Sequence, residues 1–187
     1  MNVSEAIATR RSVRAYAARP VERAVIEDLL SAAALAPSAM NTQPWAFGVI
    51  QDAARLQAYS DSTKAALLTT ITPGSPLERY REMLTDPEYH IFYHAPALVV
   101  IYGTPASPCP QNDCSLAAMT LMLAAWEQGL ASCWIGFALS VFNDPTIKAE
   151  LGVPTDYTAV APLILGYPAS ETPVPEKNPP AILFWEG

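Results

Sequence analysis

Glycine is scarce in this chain, eight in 187 residues, and none falls into a GxGxxG or GxxxxGK[ST] arrangement. That removes the two glycine-rich loops that most often cradle a dinucleotide or a nucleotide phosphate. Histidine is scarcer still, His90 and His94 alone, and no Ser-His-Asp arrangement is suggested, so there is little material for acid–base or nucleophilic catalysis. The two histidines stand four apart near Glu88, but no cysteine or carboxylate has metal-site spacing to them, which argues against a metal pair. Cys109, Cys114 and Cys133 are odd in number and form no CxxC pair. A reducing, cytoplasmic compartment is therefore expected rather than a disulfide framework. Cations are also few, 11 Lys and Arg against 18 Asp and Glu for a net charge of -7, which disfavours nucleic acid or an anionic membrane as partner. The longest apolar runs, 95–102 and 116–126, are too short to cross a bilayer, and residues 1–12 hold no apolar signal core.

What is there is apolar material, 51% of the residues, enough for one domain over residues 1–187 with no composition shift to divide it. Val3, Ala6 and Ile7 predict a first helix over 2–9, and an alanine-rich helix follows from about 24 to 35, ended by Pro37. A strand is expected at 46–50, a helix from about 52 to 59, and an irregular excursion over 60–88 punctuated by Pro73, Gly74, Pro76 and Pro87. Next come a strand at 98–102 and a long helix capped by Asn112 or Asp113, reaching Gln128 before Gly129. That helix is apolar nearly all round, so it must be covered on every side. A strand at 131–137, a helix opened by Asp144-Pro145 and running to about Leu151, and a strand at 157–165 complete the core pattern. The proline-rich tail ends in Ile182-Leu183-Phe184-Trp185, too apolar to be left in water by itself. Strands alternating with helices give an α+β layer fold.

Two stretches carry chemistry. Five of the eleven cations, Arg10, Arg11, Arg14, Arg19 and Arg23, fall in the first 23 positions, a local positive spot on an acidic protein that suits a small anion such as phosphate or, more plainly, a solvated helix end. Between the second helix and the first strand, Pro37-Ser38-Ala39-Met40-Asn41-Thr42-Gln43-Pro44 packs two hydroxyls and two carboxamides between two prolines. Asn and Gln each present a donor and an acceptor, which suits the edge of a heteroaromatic ring with adjacent C=O and N–H groups, a flavin pyrimidine among them. The same residues also suit local Asx-type turns.

Residues 36–45 resemble the PSxxNxQPW signature of the FMN-dependent nitroreductase family. Three further pieces match in order: Arg10-Arg11-Ser12-Val13-Arg14 is similar to the family's RRSxR motif, 129–136 to its GLGSCWIG segment, and Leu165-Gly166-Tyr167-Pro168 to its closing LGYP strand. Phe92-Tyr93-His94-Ala95-Pro96 also resembles the family's FYxAP approach to the central strand. The likeness spans residues 2 to about 180 and points to a short branch with the CWIG motif, since only 103–112 stands where larger members insert a roof over the flavin.

The resemblance implies a three-layer fold with a mixed central β-sheet flanked by helices, in an intertwined homodimer. There the long apolar helix packs on its twin and the C-terminal arm is exchanged. It implies FMN with its phosphate held by Arg10, Arg11 and Ser12, Lys177 helping, and Arg14 near N1 and the C2 carbonyl. Asn41 and Gln43 are expected on the pyrimidine or ribityl groups, the Pro37, Ser38 and Ala39 backbone on the ring edge, and the Ile135 and Gly136 backbone facing N5. Ala39 and Ile135 stand where relatives often have Ser and some have Glu, so those side-chain contacts are absent. The implied activity is ping-pong hydride transfer from NADH or NADPH to nitroaromatics, quinones or activated enones. The alternatives are a specialised dehalogenase, flavin-breakdown enzyme or azoline oxidase, and a flavin-binding protein without turnover.

Overall fold

The computed structural model describes residues 1–187. Helix α1, Val3–Thr9, opens on Asn2, whose side chain accepts a hydrogen bond from the Glu5 N–H at 2.9 Å. Helix α2 spans Arg23–Ala33 and buries Ile26, Leu29 and Ala33. Strand β1, Trp45–Ile50, follows, and then α3, Ala53–Thr70, capped by Asp52. Helix α3 runs eleven residues past the predicted end because the polar stretch that interrupts its periodicity is satisfied inside the fold. Thr63 Oγ1 donates to the Tyr59 carbonyl at 2.7 Å, and Ser60 Oγ accepts the Ile91 N–H at 2.9 Å. No helix breaker arrives before Pro73.

The short α4, Arg81–Thr85, leads into β2, Ala97–Gly103, every residue of which is buried. Helix α5, Pro110–Glu127, starts earlier than the predicted caps: Cys109 is the cap and Pro110 takes the first helical position. Strand β3, Ala131–Trp134, is shorter than predicted because the chain turns at Gly136–Ala138 into α6, Leu139–Phe142. Helix α7, Pro145–Glu150, is capped by Asp144, which accepts the Thr146 and Ile147 N–H groups, and β4, Thr158–Gly166, closes the core.

The sheet order is β1-β2-β4-β3. One face of β2 and β4 (Val99, Ile101, Leu163, Leu165) packs under α2 and α5, and the other (Leu98, Val100, Ile164) meets Leu56 of α3, Leu84 of α4 and Phe142 of α6. The expected three layers are present, but neighbouring strands pair antiparallel throughout rather than in a mixed sheet. The reason is the number of reversals. One helix, α5, joins β2 to β3, which therefore point the same way, but β4 inserts between them. The other two connections each contain two helices and return the chain antiparallel. The only parallel pairing is an isolated bridge, Ser12 to Ser132, which lays residues 12–17 along the sheet.

That segment is tied on both sides. Val13 N–H donates to the Ser132 carbonyl, Ala17 N–H to Tyr167 and Ala169 N–H to Ala15. Gly166 permits the close approach, since a Cβ there would lie 2.7 Å from both Pro96 Cδ and Tyr16 Cδ1. Gly166→Ala is expected to destabilise the protein by about 2 kcal/mol, because neither a proline ring nor a packed tyrosine can yield freely. Urea unfolding checks it, and an unchanged midpoint contradicts it.

Candidate active site

The Arg10–Arg14 segment leaves α1 in extended conformation, anchored by the buried Val13. Its side chains, with the tail at 172–177, line a cleft of about 440 Å3 that gathers Arg10, Arg11, Ser12, Arg14 and Lys177 and no carboxylate. The tail reaches this position because Pro168 bridges to Tyr16 and Ala169 is tied to Ala15 before the chain turns toward the arginines. Arg10 Nε is buried and has no hydrogen-bond partner. Arg11 is partly committed elsewhere: its Nη1 donates to the Ala8 and Arg10 carbonyls at 2.8 and 2.9 Å, capping the end of α1.

A second cleft of about 550 Å3 adjoins the first at Arg14, which lines both. Its walls include Ile135, Gly136 and a set of aromatics that the sequence reading gave no place in the site: Tyr80, Tyr89 and Phe137, with Tyr93, which that reading placed only on the approach to the central strand. Tyr80 and Phe137 meet edge to face at 5.2 Å, as do Tyr89 and Tyr93 at 5.8 Å. The excursion after α3 therefore forms a wall here in a chain whose 103–112 connection is short. Tyr80, the one aromatic residue in 60–88, was the available signal there. Lys64, at its base, donates to the Asp86 and Tyr89 carbonyls at 2.8 and 2.9 Å and so braces this wall.

The amide-bearing loop stands apart. Pro37, Ser38, Ala39, Asn41 and Gln43 line neither cleft. The loop's backbone is unusual: Met40, Asn41 and Gln43 all have positive φ, at 51°, 55° and 46°, and none is glycine. Such conformations persist only where surroundings enforce them, and they cluster at functional sites. Two contacts enforce them here. Ser38 Oγ accepts the Gln43 N–H at 2.9 Å, and Asp113, only 3% exposed, accepts the Ala39 N–H at 3.0 Å. The other Asp113 oxygen accepts the Ser107 hydroxyl at 2.6 Å. Asp113, read from sequence as a helix cap, is thus the clamp of the loop. Asn41 and Gln43 are left exposed.

Electrostatics around the clefts are set by burial. Burial pushes the Tyr16 and Tyr89 phenols well above their ordinary range, and it raises the Cys133 thiol as well, so Cys133 is an inert buried hydrophobe. Burial, and then His94 beside it, lowers His90 to about 4. The two imidazole centroids lie 4.4 Å apart, and no group of three His, Cys, Asp or Glu side chains gathers to hold a metal ion. No helix is long and apolar enough to cross a membrane.

The Nitroreductase family profile matches residues 7–167, which take in both clefts' arginines and the clamped loop. The chain belongs to the nitroreductase family. A relative from Archaeoglobus fulgidus that carries the nitroreductase name is 32% identical over 170 residues, 88% of this chain and 84% of its own length. A 5,6-dimethylbenzimidazole synthase of Rhodospirillum rubrum is 30% identical over 181 residues, 89% of this chain and 82% of its own. Among solved structures, a Bacteroides fragilis nitroreductase with bound FMN superposes with a TM-score of 0.82 at 32% identity, covering 98% of this chain and 97% of that one. A Desulfitobacterium hafniense nitroreductase with bound FMN gives the same TM-score at 26% identity over the whole of both chains. The nitroreductase fold is thus shared along essentially the full length of this nitroreductase-family chain.

Proposed function

We propose that this nitroreductase-family protein is a homodimeric, FMN-dependent NAD(P)H oxidoreductase that passes electrons to small-molecule acceptors such as nitroaromatics, quinones or activated enones. The observation that carries the reading is Arg14 standing at the junction of a basic cleft and an aromatic one. A ligand anionic at one end and flat at the other fits that pair. Four cations without a carboxylate, one with a buried unpaired Nε, fit a phosphate, because guanidinium donors match its oxygens.

On this reading Arg10, Arg11, Ser12 and Lys177 hold the phosphate, Arg14 meets the pyrimidine side of the ring, and the Ile135 and Gly136 backbone faces its reactive edge. Bound FMN supplies a two-electron carrier, reduced by NADH or NADPH and reoxidised by the acceptor on one shared face in ping-pong order. Arg14 stabilises the negative charge that grows beside it, and the aromatic walls exclude water from the ring.

A second copy of the chain completes the site. Pro37, Ser38, Ala39, Asn41 and Gln43 reach neither cleft of their own chain, so they serve the clefts of a partner. The surface around the loop suits burial: Met40 is 82% exposed, and Leu116 and Met119 lie uncovered on α5 below the Asp113 clamp; elsewhere the tail presents Leu183 and Trp185 to solvent. An apolar surface of that extent marks an interface, and arm exchange covers the tail. The open edge of β1 carries an apolar groove of about 330 Å3, lined by Phe47, Val153 and Tyr157, that can receive an extended arm.

The test is direct. Purified protein is expected to be yellow or to take up one FMN per chain, to have the mass of two chains in solution, and to lose its visible flavin band when NADH or NADPH is added without oxygen. A colourless monomer that binds no FMN overturns the proposal, and bound FMN that neither nicotinamide reduces leaves only a flavin-binding role. The 5,6-dimethylbenzimidazole synthase relative keeps flavin breakdown as the competing activity. Its mark is formation of that benzimidazole in air in place of an acceptor product.

A further inference from the structure

The lining of the aromatic cleft contains no carboxylate, imidazole, amine or aliphatic hydroxyl. Beside the Arg14 guanidinium and the Trp134 indole, its side-chain proton donors are the phenols of Tyr80, Tyr89 and Tyr93. Two of these are joined in a directed pair: the Tyr89 hydroxyl donates to the Tyr93 hydroxyl at 3.3 Å, with the rings 82° apart. A phenol that accepts from its neighbour keeps its own hydrogen free for a third atom. The neighbour stays protonated, because burial and then the bond to Tyr93 raise the Tyr89 phenol far from neutral pH. Arg14 lies over the Tyr93 ring, 5.8 Å from its centroid. Tyr93 also holds a left-handed backbone, φ 51°, unusual for a bulky residue and enforced by its N–H bond to the His90 carbonyl at 2.8 Å.

We infer that Tyr93 is the hydrogen-bond and proton donor to the oxygen of the electron acceptor, with Tyr89 the positioning residue behind it. The inference deepens the oxidoreductase reading and rests on it. For a quinone, the nicotinamide gives up a hydride and is oxidised to NAD(P)+, and the quinone gains those two electrons and that hydrogen. One new O–H bond takes its proton from Tyr93 as the phenolic O–H breaks. Tyr93 recovers a proton from Tyr89 and Tyr89 from water, so quinone, NAD(P)H and one proton become hydroquinone and NAD(P)+.

Duroquinone, whose ring has no free position for thiol addition at Cys109, is the probe. Without any electron donor, its binding to the oxidised FMN-loaded protein is read by quenching of tryptophan fluorescence. Tyr93→Phe is expected to weaken that binding by about tenfold, the worth of one hydrogen bond. In the same variant, reoxidation of the reduced protein by duroquinone should slow by about a hundredfold, the usual contribution of a positioned proton donor. Reoxidation by ferricyanide, which takes electrons and no proton, should stay within about twofold, and that arm also shows that the variant is folded. Tyr89→Phe should leave duroquinone binding within about twofold and raise the solvent deuterium isotope effect on reoxidation, which a purely structural residue does not do. Unchanged duroquinone binding and reoxidation in Tyr93→Phe overturn the inference, as does an equal fall in the ferricyanide and duroquinone rates. If neither nicotinamide reduces the wild-type protein, the oxidoreductase reading is defeated instead, and the fluorescence titration still decides whether Tyr93 contacts the quinone.

Discussion

Arg14→Ala is expected to slow reduction of the bound cofactor by NADH or NADPH about a hundredfold while weakening FMN binding by less than about tenfold. The asymmetry comes from position. Arg14 lines both clefts, and the basic cleft keeps Arg10, Arg11 and Lys177 for the phosphate when it is removed. A cation at the ring end acts mostly where negative charge develops during hydride transfer. Interactions made in the transition state and not in the ground state appear in the rate rather than in the binding constant. Arg14→Lys should restore part of the rate, since charge is kept but the planar fork is lost. Single-turnover reduction under anaerobic conditions and equilibrium titration with FMN measure the two quantities on one preparation. Equal losses in both contradict the assigned role and place Arg14 with the phosphate ligands.

Asp113→Ala should be the most destabilising substitution outside the hydrophobic core. The carboxylate is buried in the first turn of α5, where the helix dipole favours a negative charge, and it accepts the Ala39 N–H and the Ser107 hydroxyl. Truncation leaves both donors without that acceptor. With hydrogen bonds to a charged group counted at about 1.5–3 kcal/mol each, a loss of about 3–4 kcal/mol follows. For a chain of this length that is roughly a 10 °C fall in Tm. Asp113→Asn keeps one acceptor and should lose about half as much. The clamp also enforces the left-handed backbone at Met40, Asn41 and Gln43, so the added stability conferred by FMN should shrink in the alanine variant. A Tm within about a degree of wild type, or unchanged stabilisation by FMN, separates the clamp from the loop's function.

Much of the site was legible as residue types and much less as geometry. Arg10, Arg11 and Arg14 declared themselves as part of a cationic spot on an acidic chain, and the structure gathers them with Ser12 and Lys177, both marked by the resemblance, into one carboxylate-free cleft. Ile135 and Gly136 came from a resemblance rather than from any local signal, and they line the adjoining cleft with Arg14. In the loop, Ser38, Asn41 and Gln43 were marked by an excess of hydrogen-bonding groups, and Pro37 and Ala39 by the resemblance alone. One chain leaves them away from the arginines, because the loop is bound to the N-terminus of α5 while residues 12–17 run along the β3 and Tyr167 side of the sheet. Of the tyrosine walls, Tyr80 was hidden in the 60–88 excursion whose prolines suggested irregular chain, while Tyr89 and Tyr93 lie just beyond it on the approach to β2.

The amino-acid sequence by itself determined the order of the four strands and of five of the seven helices, α4 and α6 excepted, the Asp144-Pro145 start of α7, the stop at Gly129, the buried β2 and the family. All of these are written in short-range periodicity, capping chemistry and residue order. Tertiary structure alone decided the antiparallel strand pairing, the continuation of α3 through Ser60 and Thr63, the use of Asp113 as a clamp on Ala39, and the meeting of two clefts at Arg14. Each depends on a contact between residues far apart in the chain, 74 positions in the case of Ala39 and Asp113. A buried polar group finds its partner only when packing fixes which donors and acceptors share the interior, and local pattern carries no record of that.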